Sequence, residues 1–564
     1  MKRALLLSII ATGAISLWSP TTAQTPTFNW ARSLGNGPTI RKVVEDHQGR
    51  LIAIGQFGGT DVLGIGPDAV ELVGGAGNSC FLAAFQADGS IDWAIGWGST
   101  GGLNGADVAV APDGSIVVTG YFKGTLDLDA SPTAETVVSA GSDWDLFITK
   151  YAADGQFEWG SMLGNAWDDL STRITMDGAG NVIHSHYVKG IMDMDPGPAT
   201  VNFDGGSSGT GVMSKYAADG TLLWYKAVGR APSYMRVLSN GSIMVSFSFG
   251  GQLTFGEAPN TITIGDATIS GAQAIVRCNA QGDPEQGTFI NGVQSVKVEF
   301  GPDGSAAMVG MITDEADLDP GPGTNIHVPN GVYDPFALRV NAEMEGEWGV
   351  SWGDDSSEDL EAMDIDGYGN VYIVAPLYGP FDVDPGPGTY ILDNPTTTNG
   401  YLLMLRATDG TMGFANLLIG DALGFVQVSG IRLTSNGTII THGAFRGTIH
   451  VDPWTDSFNL AVQTAQTEEG YICAYGQQIG LATPEGQGAA MPHLYPVPCT
   501  DHLVINGQEG VAPYRVMDMT GRILLSGLLG TGPATLDVSS LPAGAYHLQL
   551  TDAQGSRTTR FVKQ

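Results

Sequence analysis

The sequence predicts an all-β protein, a seven-bladed β-propeller followed by a small C-terminal β-sandwich. Three observations carry that prediction. A short segment recurs seven times at nearly constant spacing, and six of the seven copies end in an aromatic residue. Each period reads as four strands joined by tight Asp-Gly or Asn-Gly turns. Composition agrees: 80 of 564 residues are Gly and only 15% are charged. Glycine at about twice its usual share of roughly 7% suits turns and argues against a coiled coil or long helical array. Hydrophobic residues make up 43%, enough for a packed core. The 59 acids against 25 bases leave a formal charge of −34. That balance excludes a nucleic-acid binder, because phosphate contacts need clustered Lys and Arg. It also disfavours an anionic lipid surface.

The repeat is explicit. Residues 147–159 read Phe-Ile-Thr-Lys-Tyr-Ala-Ala-Asp-Gly-Gln-Phe-Glu-Trp, and close copies end at Trp93 and Trp224. Weaker copies end at Gln286, Trp348 and Phe414, and Trp30 has the same downstream context. Neighbouring copies lie 62 to 66 residues apart. In each period a first strand meets a tight turn, as at Asp113-Gly114, and returns as a second strand. A long loop follows. The third strand turns at an Asp-Gly such as Asp154-Gly155 into a fourth that carries the aromatic residue. Four strands in about 65 residues describe a propeller blade. First strands fall near residues 40, 106, 172, 234, 294, 361 and 428, and the last blade lacks a fourth strand. The strand around Trp30 is expected to supply it, so that no sheet edge is left open.

Strand order divides the loops between two faces. The short turns lie on one face. The inter-blade and second-to-third-strand loops lie on the other, where binding usually resides. Those long loops are acidic. They read Asp127-Leu-Asp129, Asp193-Met-Asp195-Pro-Gly-Pro, Asp317-Leu-Asp319-Pro-Gly-Pro and Asp382-Val-Asp384-Pro-Gly-Pro, with a degenerate His450-Val-Asp452-Pro in blade 7. Inter-blade loops add Asp168-Asp169 and Asp354-Asp355. Two readings stand. The aspartates cap turn amides while Pro-Gly-Pro stiffens the loop. Alternatively Asp168, Asp169, Asp193, Asp195, Asp354, Asp355, Asp382 and Asp384 hold Ca²⁺, a hard cation that takes several oxygens at once. Blades 1 and 4 are irregular and have Gly66 and Gly256 in place of the acidic pair.

The chain ends carry export information. Lys2 and Arg3, the apolar stretch 4–18 and the small residues Thr21, Thr22 and Ala23 read as a signal peptide spanning residues 1–23. No later stretch reaches 18 uninterrupted apolar residues, so no membrane span is expected in the mature chain. The propeller is assigned to residues 24–480, a Gly/Ala/Pro linker to 481–492 and a separate module to 493–564. The module holds five acids and five bases. The acidity therefore belongs to the propeller. Of the four cysteines, neighbouring blades allow only Cys80–Cys473 to pair; the simpler reading is four buried thiols.

Specific motifs then suggest relationships. Tyr495-Pro-Val-Pro498, Leu503-Val-Ile505, Tyr514-Arg-Val-Met-Asp518 with Gly521-Arg522, Leu541-Pro-Ala-Gly544-Ala-Tyr546 and Phe561-Val-Lys563 resemble the type A C-terminal sorting domain of type IX secretion in Bacteroidota. Val497 stands where that family usually has Asn. The resemblance implies handling by the type IX machinery and either secretion or display at the outer-membrane surface. Gly180-Asn181-Val182, Gly369-Asn370-Val371-Tyr372, the Asp-x-Asp-Pro-Gly-Pro loops and the Asp-Gly-x-x-x-Trp strands resemble SBBP-type propeller repeats over residues 28–480. That family implies no particular reaction.

No catalytic constellation emerges. Gly205-Gly-Ser-Ser-Gly209 matches a nucleophile-elbow pattern but lies in a loop without a following helix. Gly96-Trp-Gly-Ser-Thr-Gly101 resembles a dinucleotide loop and also lacks a helix. His184 and His186 alternate along one strand upstream of Asp193 and Asp195, a pattern open to metal binding or to ordinary packing. Trp97, Trp144 and Trp167 fall in or near long loops, where they could stack sugars. The expectation is an exported surface or secreted binding protein, recognising a glycan or protein. A secreted carbohydrate-active lyase or hydrolase is the alternative.

Overall fold

The computed structural model describes residues 26–129, 136–139, 143–353, 359–393, 399–420, 425–452, 458–462, 467–476, 493–495, 499–506, 512–517, 523–529, 534–542, 544–552 and 555–563. These residues are all-β, with no helix among them. Seven sheets share one core plan of four antiparallel strands, which in the sixth is extended to six by the short strands Thr448–His450 and Asn459–Ala461. Sheet 1 is Thr39–Glu45, Leu51–Leu63, Val70–Phe85 and Ile91–Gly98. Sheet 2 is Leu103–Val110, Ile116–Phe122, Asp145–Tyr151 and Phe157–Leu163; sheet 3 is Leu170–Met176, Val182–Val188, Thr210–Tyr216 and Leu222–Gly229. Sheets 4, 5 and 6 begin at Tyr234–Val237, Val293–Phe300 and Ala362–Ile365. Sheet 7 combines Phe425–Leu433, Thr438–Arg446 and Glu468–Gly476 with the N-terminal strand Thr27–Gly35. The last pairing sets Ala31 against Cys473 and Ser33 against Tyr471, joining segments about 440 residues apart.

Each sheet packs on the next. Seven separate clusters of buried apolar side chains fill the interfaces. One joins Val117, Leu146 and Ile148 of sheet 2 to Ile174 and Val182 of sheet 3. Another joins Ile40 and Ala53 of sheet 1 to Ile440 and Ile472 of sheet 7. The remaining five fill the other successive seams. The first strands of neighbouring sheets also touch in succession, and the first strand of sheet 7 touches that of sheet 1. Alternation explains the division of labour. Val43, Val108, Ile174 and Val298 are buried, while their neighbours along each strand point the other way.

The recurring Trp has a defined task. Trp30, Trp93, Trp159 and Trp348 each donate from Nε1 to a carbonyl in the third-to-fourth-strand turn of the following sheet. The acceptors are Ala87, Ala153, Ala218 and Ala407, at 2.8, 3.2, 3.1 and 2.8 Å. Gln286 replaces Trp in sheet 4 and makes the analogous bond to Glu343 at 2.8 Å. The turn needs glycine for two reasons. Gly89 and Gly155 have φ of +81° and +84°, and a Cβ there would come within 2.5 and 2.9 Å of the Trp30 and Trp93 rings. In sheet 5 Met344 takes the same place at φ 65°.

The long loops contain more order than expected. Small two-stranded ribbons form within them, such as Ile191–Asp193 with Asn202–Asp204. The irregular repeats differ here too: Leu51–Leu63 and Val70–Phe85 of sheet 1 are unusually long, and sheet 4 carries the hairpin Leu253–Glu257 and Asn260–Ile264.

The C-terminal residues form two sheets. Three strands, His493–Tyr495, His502–Asn506 and Ala534–Asp537, make one. Ala512–Met517, Ile523–Leu529, Gly544–Asp552 and Gly555–Lys563 make the other. Cys499, Leu503, Val516 and Leu548 share one core between them. The Tyr546 hydroxyl donates to the Pro542 carbonyl at 2.7 Å, which gives the Leu-Pro-Ala-Gly-Ala-Tyr motif a structural role.

Candidate functional site

The acidic loops resolve into turns. Asp193 Oδ1 accepts the amides of Asp195 and Val201 at 3.1 and 2.8 Å, and Asp195 Oδ1 accepts that of Gly197 at 2.8 Å. Asp382 does the same for Asp384 and Tyr390, and Asp384 for Gly386. Asp317 and Asp319 follow suit. These bonds satisfy loop amides that would otherwise need water. Asp168 Oδ1 accepts the Trp144 amide at 3.0 Å. Asp169 is fully buried. Burial raises its carboxyl to about 7, and the nearby Asp145 and Asp168 add to the rise. Asp354 and Asp355 lie outside the described residues. Among the described residues no group of three or more His, Cys, Asp and Glu converges to hold a metal ion.

The other candidates separate by environment. His184 and His186 are buried with rings stacked 4.7 Å apart, and their Nε2 atoms lie 3.3 and 3.0 Å from Thr119 Oγ1 and Ser214 Oγ. Burial pushes His184 down to about 3, so both are neutral packing groups at ordinary pH. Trp97 is only 3% exposed, whereas Trp167 is 51% exposed with Lys189 Nζ 4.3 Å from its ring centroid. Residues 205–209 connect two strands, which removes the strand-to-helix geometry a nucleophile elbow needs. All four cysteines are free and buried, so Cys80–Cys473 is not a disulfide. Burial raises the Cys80 thiol to about 12, which makes it unreactive.

The feature that sequence reasoning missed is a cavity of about 270 Å³ where the seven first strands meet. Aligning these strands on their hairpin turns places Lys42, Asp107, Arg173, Tyr234, Lys297, Ala362 and Gly430 at one repeat position. Two residues further on, and so on the same side of each strand, come Val44, Ala109, Thr175, Arg236, Glu299, Asp364 and Arg432. The charges are partly matched. Lys42 pairs with the buried Asp107, whose Oδ2 accepts the Ile174 amide at 2.9 Å. Arg432 lies 3.4 Å from Asp364, and Arg236 lies 3.6 Å from Glu299. Burial pushes the carboxyls of Glu299 and Asp364 up, and Arg432 and Arg236 oppose the shift. The Arg173 guanidinium sits 5.3 Å from the Tyr234 ring centroid. A repeat alignment of the first strands alone would have revealed this ring of charges.

Comparison with known proteins locates the C-terminal part. Residues 493–564 match the secretion system C-terminal sorting domain. The regulatory protein FlaEY of Caulobacter vibrioides is 26% identical over 201 residues, which is 36% of this chain. The chain spans 18% of that relative's length. Among solved structures, a protein of unknown function from Bacteroides caccae is matched at 11% identity with a TM-score of 0.28, over 58% of this chain and 94% of that one. PorZ of Porphyromonas gingivalis, a surface component of the type IX secretion system, is matched at 12% identity with a TM-score of 0.21, over 93% of each chain. No helix among the described residues is long and apolar enough to cross a membrane. The sorting domain marks the protein as type IX cargo, delivered to the cell surface or the extracellular space.

Proposed function

We propose that residues 24–480 form a closed seven-bladed β-propeller of the SBBP-repeat kind, and that this exported protein is a non-enzymatic binding scaffold for a glycan or protein. The observation that carries the reading is the set of seven seam clusters, the last of which packs sheet 7 on sheet 1. Such a ring is a rigid frame for loops and for a central cavity. In this reading the loop aspartates are turn-formers; bound Ca²⁺ is the competing role. The linker 481–492 and the sorting module 493–564 serve delivery.

Two measurements test the proposal. The purified mature chain is screened on glycan and protein arrays, with and without calcium. Saturable binding without conversion of the ligand is expected; release of glycan products would put a carbohydrate-active enzyme in its place. In the native host, removal of residues 493–564 should strand the protein in the periplasm. Normal surface display without the module would remove the delivery argument.

A further inference from the structure

The central cavity inverts the charge of its surroundings. Residues 24–492 hold 54 acids against 18 bases. The cavity wall holds five bases and three acids. A random sample of this region would line any cavity with carboxylates. The bases also come from separate repeats: Arg41 and Lys42 from sheet 1, Arg173 from sheet 3, Lys297 from sheet 5 and Arg432 from sheet 7.

Two of these cations are not neutralised at contact distance. Arg41 donates from Nε and an Nη to Gln56 Oε1, at 3.2 and 2.6 Å, and meets no carboxylate within salt-bridge reach among the described residues. Lys297 makes no hydrogen bond or salt bridge among the described residues, although its charge acts on the Glu361 carboxyl. Lys297 is half-buried and follows an irregularity in its strand, where pairing slips between Gln294 and Lys297. Ser295, inside that slip, has φ 54°. A bulge of this kind re-aims side chains. A part-desolvated ammonium without a carboxylate partner favours an incoming anion.

We propose that the cavity binds a small organic oxyanion, a molecule bearing a carboxylate, sulfate or phosphate group, held by Lys297 and Arg41. The volume of about 270 Å³ is just under the roughly 300–1,000 Å³ of small-molecule pockets. It admits a ligand the size of one sugar ring. Planar Arg41 suits a bidentate oxyanion, and Lys297 supplies a point charge. Glu299, Glu361 and Asp364 line the same space and reject a ligand that is anionic all round. The ligand is therefore a molecule with one charged end and a hydroxylated or amino-bearing body. Neutral sugars lack the anchor.

This inference deepens the binding reading and rests on it, and the experiment separates the two. The full mature chain is titrated calorimetrically with galacturonate, glucose 6-phosphate, inorganic sulfate and glucose. Galacturonate or glucose 6-phosphate is expected to bind at a single site, to weaken as salt rises, and to bind better than sulfate; glucose gives no heat. Preference between the first two identifies carboxylate or phosphate as the anchor. Lys297→Gln is expected to lower affinity by about tenfold or more, as loss of one hydrogen bond to a charged group implies. Arg41→Gln does the same independently, and Lys123→Gln on the outer loops leaves binding unchanged. Melting curves establish that each variant is folded. No binding by any anion at millimolar concentration, or affinity in both cavity variants equal to that of the unaltered protein, overturns the cavity proposal. Array binding that survives Lys297→Gln and Arg41→Gln would leave the scaffold function intact while assigning it to the loop face.

Discussion

Replacing Gly89 by Ala tests the Trp seam with a single methyl group. Two costs add. Alanine at φ +81° is strained by about 1–2 kcal/mol. Its Cβ would stand 2.5 Å from Trp30 Cε3 and 2.7 Å from Cζ3, so the indole must move. Movement breaks the 2.8 Å bond from Trp30 Nε1 to the Ala87 carbonyl, worth about 0.5–1.5 kcal/mol. Repacking a crowded ring adds about 1–3 kcal/mol. The expected loss is about 2.5–6.5 kcal/mol. Gly49→Ala is the control, because Gly49 has φ +78° and no atom within 4 Å of its Cβ position. It should lose only the backbone part. In a Trp30→Ala background the cost of Gly89→Ala should fall to the control value, giving a coupling energy of about 2 kcal/mol. Denaturant unfolding of the mature chain measures all of these. If Gly89→Ala costs no more than Gly49→Ala, or the same with and without the indole, the Trp does not join sheet 7 to sheet 1 in the way described.

Deleting residues 24–36 removes the Thr27–Gly35 strand and bares the edge of Glu468–Gly476; aggregation or loss of cooperative unfolding is expected, and unchanged melting would refute the pairing. His184 and His442 are buried and pushed down to about 3 and 4, so the unfolded chain takes up their protons first. Their contribution is intact above about pH 6.5 and shrinks as pH falls, by about 2 kcal/mol each at pH 5; His184→Gln should flatten the slope of stability against pH between 6.5 and 5, and an identical slope would count against a buried neutral ring. Because Asp193, Asp195, Asp382 and Asp384 already accept backbone amides, millimolar Ca²⁺ should raise the melting temperature no more than monovalent salt of equal ionic strength. A calcium-specific rise that Asp195→Ala with Asp384→Ala abolishes would establish the calcium reading instead.

What could be read in advance, and what could not, follows from the range of each interaction. The Asp-Gly turns, the Trp period and the unpaired strand near Trp30 were legible because each is a local geometric demand repeated along the chain. Glycine at positive φ and a strand wanting an edge both leave marks on neighbouring residues. The loop aspartates were ambiguous for a chemical reason: the oxygens that accept Asp195 and Val201 amides are the same oxygens a cation would use, and the residue string is identical in either case. Trp97 and Trp167 were indistinguishable in type, yet one is 3% and the other 51% exposed. The cavity was hidden for a third reason. Arg41, Arg173 and Lys297 lie about 125 residues or more apart, and net charge averages over the whole surface. A chain at −34 repels anions at long range, and salt screens that repulsion within about 8 Å at physiological strength. Inside the cavity, contact distances replace the average, so Lys297 and Arg41 would outweigh the distant outer carboxylates for a ligand seated there. Long-range acidity and a basic interior are therefore compatible, and together they favour a small, singly anchored ligand over a polyanion, which would meet the acidic loops before it reached the cavity.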